Sequence, residues 1–277
     1  MQKIRFSLIF FISVLFVACA SSGSKELRGT ASHGSSKTKK GKILMIAANP
    51  SVSKQTGWPI GVWAAELTHP YREFTYAGYH VDIASPKGGE IKFDAYSDPN
   101  HKSGYSKDDW ISRGFMATPS LMKLTKNTKK LSSVNASDYK AIFLVGGQSP
   151  MYTFKGNQEL MKFVADFYET GKPTSLVCHS TAILLDTKLS NGKLLVHGKK
   201  WTGFTNAEEA FADKAVGQKI QPYWIEQEAR KIQKTEFKTE KPFTPYAIRD
   251  GNLITGQQQN SGTEAAKLIL EMLEEKS

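Results

Sequence analysis

The chain has 277 residues, with 37 Lys and Arg against 26 Asp and Glu, a formal charge of +11. Hydrophobic residues at 40% and charged residues at 23% are ordinary globular values, which excludes a disordered chain, a collagen-like fibre and a multi-span membrane protein. Two cysteines, Cys19 and Cys178, exclude a disulfide scaffold, and the length suffices for one large domain with a full core.

The N-terminus pairs two cations, Lys3 and Arg5, with an apolar stretch of 13 residues, Phe6 to Ala18. That is too short to span a bilayer comfortably and fits the hydrophobic region of a secretory signal. Residues 20–42 are small, polar and without apolar periodicity, a tether rather than a strand or helix. Residues 1–42 carry eight basic groups against Glu26 alone, so the remaining 235 residues hold 29 basic and 25 acidic groups, only +4. A nucleic-acid-binding domain carries its excess on the folded part. Here it sits on leader and tail, which reads as a basic tether near anionic headgroups, with no nucleic-acid partner.

Ala18-Cys19 at the end of the apolar stretch resembles a bacterial lipobox, with Phe16 where that pattern prefers Leu and Leu15 one step earlier. The resemblance implies cleavage before Cys19 and lipidation of its thiol. A mature chain of 259 residues would then be anchored in the cell envelope, on the outer membrane in a Gram-negative host because Ala20 is not Asp. The organisation expected is a signal peptide over 1–18, a tether over 19–41 and a catalytic domain over 42–277. With Cys19 lipidated, Cys178 has no partner in the chain, which is unusual for an exported protein.

From Lys42 onward, short apolar runs suit strands buried on both faces: Lys42–Ala48, His80–Ser85, Ala141–Gly147 and Thr174–Cys178. Helix-like stretches lie between and after them, at Gly61–Tyr76, Met151–Thr170 and Glu264–Glu274. This alternation predicts an α/β three-layer sandwich with a mainly parallel central sheet. Two β-rich arms around Asp250-Gly251-Asn252 predict a hairpin. Lys87–Lys130, polar and weakly periodic, reads as loops with short helices.

Ligands in such folds sit at the carboxyl ends of strands. Three turns fall there: Thr56-Gly57-Trp58, Gly146-Gly147-Gln148-Ser149 and Cys178-His179-Ser180. Cys178 stands where a buried strand stops and a helix begins, the context of a nucleophile elbow. A helix N-terminus there is expected to favour the thiolate and lower its pKa. Trp58, following the first strand, is a candidate wall residue. Glu66 and His69 lie three apart on a predicted helix but lack a third ligand, so no metal and no cofactor are expected.

Five landmarks in order carry a second resemblance: TGWPIGVWAAELTHPYREFTYAGYHVDIASPKGG, DYKAIFLVGG, SLVCHSTAILL, WTGFTNAEEA and RDGNLITGQQ. Over roughly Lys42 to Leu273 the chain resembles the ThiJ/PfpI superfamily, of the flavodoxin-like, class I glutamine-amidotransferase-like fold. Within it, the chain is similar to the glutathione-independent glyoxalase III-like branch, which also contains heat-inducible holding chaperones. The resemblance implies Cys178 as nucleophile, His179 as its neighbour, Glu66 as the acid contacting the thiol, and Glu209, with Glu208 as the alternative, as the acid orienting the histidine. Gly146 and Gly147 match the glycine pair whose amides face the substrate oxygen. Gln148 and Ser180 stand where many relatives carry His and Gly, and both are expected to contact substrate.

The activity that the resemblance implies is that of a lyase of D-lactate dehydratase type. It would convert methylglyoxal or a related 2-oxoaldehyde to a 2-hydroxy acid through a cysteine hemithioacetal, without glutathione. The alternatives are a cysteine-dependent deglycase, amidohydrolase or peptidase, or an envelope holding chaperone or thiol stress sensor. A homodimer is expected from the resemblance alone.

Overall fold

The computed structural model describes residues 40–275; the signal peptide, Cys19 and nearly all of the tether lie outside the described residues. Among the described residues, the main sheet has seven strands. Their spatial order is Ala247–Asp250, Leu253–Gly256, Thr174–Val177, Ala141–Leu144, Lys42–Ile46, His80–Ser85 and Lys129–Lys130. Five neighbouring pairs are parallel; only the hairpin Ala247–Asp250/Leu253–Gly256 is antiparallel. Every side chain of Ile43–Ile46, Ala141–Leu144 and Thr174–Val177 is buried, as a sheet covered on both faces requires. The fold is the α/β three-layer sandwich expected from the alternation of apolar runs.

Local chemistry sets the element boundaries. The helix expected over Met151–Thr170 is two pieces, Pro150–Thr153 and Gln158–Glu169. Gly156 at φ 76° breaks the chain between them, and Asn157 caps the second piece by accepting from the Leu160 amide at 3.1 Å. The hairpin turns at Gly251, φ 65°, where a left-handed conformation suits glycine. Lys129–Lys130 is an edge strand paired with Ala84–Ser85. Two lysines carry no β pattern, and charge on an exposed edge blocks further pairing. Helices Ala64–Tyr76 and Gly262–Glu274 lie against each other, so closely that a Cβ on Gly262 would come within 3.1 Å of the Pro70 ring. No helix among the described residues is long and apolar enough to cross a membrane.

The parallel strands all direct their carboxyl ends to one edge, and that edge receives Cys178, Gly146-Gly147 and the segment after Ile46. The central strands therefore hold the site from below. Phe143, fully buried and edge-on to Phe74 at 6.0 Å, is part of that support. Truncation to Ala removes its burial and leaves a cavity, so Phe143→Ala is expected to lose about 3–5 kcal/mol. Urea denaturation should show a lower midpoint with an unchanged slope.

Candidate active site

Strand Thr174–Val177 ends at Cys178, which adopts φ 57°, a left-handed conformation that non-glycine residues rarely take. The turn is locked by its neighbours. Ser180 Oγ donates to the Val177 carbonyl at 2.6 Å and accepts from the Val177 amide at 2.9 Å. Thr181 Oγ1 donates to the Cys178 carbonyl at 2.7 Å. A conformation costing on the order of 1–3 kcal/mol is thus held by a fully buried hydroxyl network that aims the thiol off the strand end.

Glu66, on the first turn of helix Ala64–Tyr76, is fully buried and faces this turn. Its Oε2 accepts from the Gly146 amide at 3.0 Å, and its carboxyl interacts with the Cys178 thiol. Oε1 has no hydrogen-bond partner among the described residues, which leaves it for a substrate. Gly146 separates the two acids. A Cβ there would collide with Glu66 Oε2 and sit 2.8 Å from the Cys178 Cβ. Gly147, φ 105°, passes so close to Val62 and Trp63 that a Cβ would collide with the Trp63 amide nitrogen.

His179 stands beside the thiol, Nδ1 at 3.4 Å from Sγ. Its Nε2 donates to Glu209 Oε1 at 3.0 Å, and its ring lies on Phe204 with centroids 4.3 Å apart. A carboxylate that accepts a hydrogen bond from Nε2–H fixes the tautomer and leaves Nδ1 as the acceptor toward sulfur. Glu208 has a different job. It closes a capping box with Thr205, accepting from the Thr205 amide at 3.0 Å and hydroxyl at 2.8 Å. Its other oxygen takes the amide of Phe243 and the side chain of Gln257, each at 2.9 Å. The histidine partner is Glu209.

The electrostatics correct one expectation. The element after Cys178 is a 3-10 helix, Cys178–Leu185, and the thiol is only 3% exposed. Burial, followed by the Glu66 carboxyl, pushes the Cys178 pKa well up, while the Gly147 and His179 amides pull it down. Glu66 is also raised well above the carboxylate range, first by burial. Two buried acids in contact hold on to a proton between them, because two adjacent anions out of water repel. The Gly147 and His179 amides favour negative charge at the sulfur, and the same amides can stabilise an oxyanion formed beside it.

Two other expectations also change. The Gly146 amide is engaged by Glu66 and is not free for a substrate oxygen. Ser180 is fully buried, donating to Val177 and Leu144 carbonyls, so it braces the turn instead of contacting substrate. Gln148 does line the cavity, with Oε1 buried and unpartnered. His69 is engaged by Asp109 at 2.8 Å. No cluster of three or more potential metal ligands occurs among the described residues.

Asp94 was not among the sequence candidates. Fully within the protein, it accepts from the Gly61 and Gln148 amides, each at 2.8 Å, and so ties the glycine turn to the loop after Trp58. Burial raises its pKa and those amides oppose the rise. It lies in the weakly periodic stretch 87–130, where no local pattern marks it. The aromatic walls were equally silent. Trp63, Tyr96, Tyr105, Phe204, Phe211 and Phe243 join Trp58 around a cavity of about 150 Å³ that opens on Cys178.

The DJ-1/PfpI family pattern matches residues 60–272, and the chain belongs to that family. Among its relatives is Glyoxalase 3 of Candida albicans, 29% identical over 239 residues that span 84% of this chain and 98% of the relative. The glutathione-independent glyoxalase HSP31 of Saccharomyces cerevisiae is 27% identical, over 83% of this chain and 97% of its own. Among solved structures, Rapid Encystment Protein 24 kDa of Francisella tularensis superposes with a TM-score of 0.74 at 28% identity, covering 84% of this chain and 99% of that one. Glyoxalase III of C. albicans gives 0.69 at 25% identity, covering 84% and 97%.

The raised Glu66 pKa has a testable sign. The folded carboxyl keeps its proton at pH values where the unfolded one, near 4.5, has lost it. The native state therefore binds more protons, and this group's contribution to stability falls as pH rises above 4.5. Glu66→Gln stays neutral and still accepts from Gly146. It should melt above the wild type at neutral pH, with the gap closing as pH falls toward 4.5. A Glu66→Gln that melts lower at neutral pH would show the anion to be stabilising.

Proposed function

We propose that the chain converts methylglyoxal or a related 2-oxoaldehyde to the 2-hydroxy acid, without glutathione. The observation that carries this reading is one thiol with a buried carboxyl across Gly146 on one side and a histidine held by Glu209 on the other, at the mouth of a cavity. The curated glyoxalase relatives, matched over nearly their whole length, support it.

The residues divide the reaction between them. Sγ adds to the aldehyde carbon with the shared proton resting on Glu66, and the new oxyanion is held by the Gly147 and His179 amides. Addition uses up the sulfur's charge, so the reason for Glu66 to stay neutral weakens. It gives its proton to the hemithioacetal oxygen and becomes a carboxylate. That carboxylate removes the proton from C1 and returns one to C2 through an enediol, which leaves a thioester on Cys178. Water, with His179 as base oriented by Glu209, hydrolyses the thioester to the acid and restores the thiol. The sum is dicarbonyl plus water giving 2-hydroxy acid, with no net oxidation.

Beyond the catalytic domain, we propose that the leader directs lipidation at Cys19 and places the protein on a membrane of the bacterial envelope, as a homodimer. The support is the signal-like stretch Phe6–Ala18, the small residue before Cys19 and the basic tether.

Incubation of the purified protein with methylglyoxal should yield lactate, resolved as D or L by stereospecific assay. Cys178→Ser should abolish the yield, and Glu66→Gln should reduce kcat on the order of 10²–10⁴-fold while retaining a folded spectrum. Lactate formation equal in wild type and Cys178→Ser would refute the thiol route. For the leader, intact-mass analysis after bacterial expression should find a chain beginning at Cys19 and carrying acyl chains. A protein still bearing Met1 would refute lipoprotein processing.

A further inference from the structure

The cavity is larger and drier than a three-carbon dicarbonyl needs, and its selectivity for substrate rests on the glyoxalase reading. An apolar cavity of about 150 Å³ is the size that admits a benzene ring, more than the five heavy atoms of methylglyoxal. The polar groups gather at one end, around Cys178, Gly147, Gln148 and His179. The rest of the lining is aromatic and aliphatic, its polar atoms those of Gln221, Gln259 and the Tyr96 and Tyr105 hydroxyls, with the Gln259 amide donating to Tyr105. Among the described residues, Glu209 is the one acidic side chain on the wall, its carboxyl engaged by His179, and no Lys, Arg or Asp lines the space. A charged substituent would find no partner, whereas an apolar one would be desolvated favourably.

Two phenylalanines on the wall are held in unusual ways. Phe243 adopts φ 61°, a conformation that bulky residues rarely take. It is pinned there because Glu208 accepts from its amide and Asn260 donates to its carbonyl, each at 2.9 Å. Phe211, on helix Asn206–Val216, packs edge-on against it with centroids 5.1 Å apart. Phe211 is 53% exposed, an uncommon position for a large apolar side chain unless something apolar comes to it. The same helix start supplies Glu209 to the histidine and Glu208 to Phe243, so the apolar wall and the reacting end share one support.

We propose that this pocket selects 2-oxoaldehydes bearing an aryl or branched alkyl substituent over methylglyoxal, with Phe211 and Phe243 as specificity-determining residues. The aldehyde end sits on Cys178 and the substituent lies along the two rings. The chemistry is unchanged: substituted dicarbonyl plus water gives the substituted 2-hydroxy acid.

Steady-state kinetics of the full-length protein with methylglyoxal, 4-methyl-2-oxopentanal and phenylglyoxal test this, with hydroxy-acid product measured by chromatography. The two apolar substrates should show kcat/KM about tenfold or more above methylglyoxal, expressed mainly in KM. Phe211→Ala, a half-exposed position whose loss leaves the core intact, should reduce that ratio several-fold, and Phe243→Ala should do so too where melting shows it folded. Methylglyoxal turned over as well as or better than both apolar substrates overturns the selectivity. A ratio unmoved in Phe211→Ala overturns the assignment to this wall, since greater electrophilicity alone would then explain the preference. Turnover of none of the three would instead defeat the glyoxalase reading itself.

Discussion

A thiol and a carboxyl that share a dry space can carry one negative charge between them far more easily than two. Cys178 and Glu66 are in that position, and much of the surrounding structure exists to keep them there. The carboxyl comes from a helix and the thiol from a strand end, and the gap between them is narrow enough that only glycine fits at 146. The two proton affinities are coupled, so an event at sulfur changes what the carboxyl can do. That coupling is the physical basis on which a single glutamate can first donate and then abstract a proton.

The second requirement is orientation, and adjacent glutamates divide it. Glu209 turns inward to His179, while Glu208 turns back on its own helix start and out to Phe243. Successive positions on a helix point about 100° apart, so neighbouring residues reach different elements without competing. Asp94 plays a comparable part on the opposite side, joining the Gly61 and Gln148 amides. Neither Glu208 nor Asp94 is easily replaced, because a buried amide left without its acceptor costs more than the bond itself contributes.

Where the chain departs from its family's pattern, the consequences differ. Ser180 stands where the family resemblance implies glycine, yet its hydroxyl is absorbed by the turn, bonding Val177 and Leu144. It stiffens the strained cysteine without reaching the cavity. Gln148 stands where the resemblance implies histidine and lines the cavity, where its amide can hydrogen-bond but cannot titrate. Proton movement is thereby left to Glu66, His179 and the thiol, within a pocket whose remaining surface is mostly aromatic.

The sheet was legible in the chain because both-face burial writes continuous apolar runs: Ile43–Ile46, Ala141–Leu144 and Thr174–Val177 each announce themselves locally. The hairpin at Gly251 did so through its turn chemistry, and Cys178 drew notice as a candidate nucleophile through its strand-end position and the family landmarks. The edge strand Lys129–Lys130, Asp94 and the aromatic wall beyond Trp58 were invisible, because each matters only through what distant segments bring to it. Whether a glutamate in the run Glu208-Glu209 faces a histidine or caps a helix is a matter of angle about an axis, which composition does not record. The proton affinity of Cys178 was read from sequence in the wrong direction, as lowered by a helix end. A pKa depends on the solvent removed and the charges gathered around a group, and both are properties of the assembled structure alone.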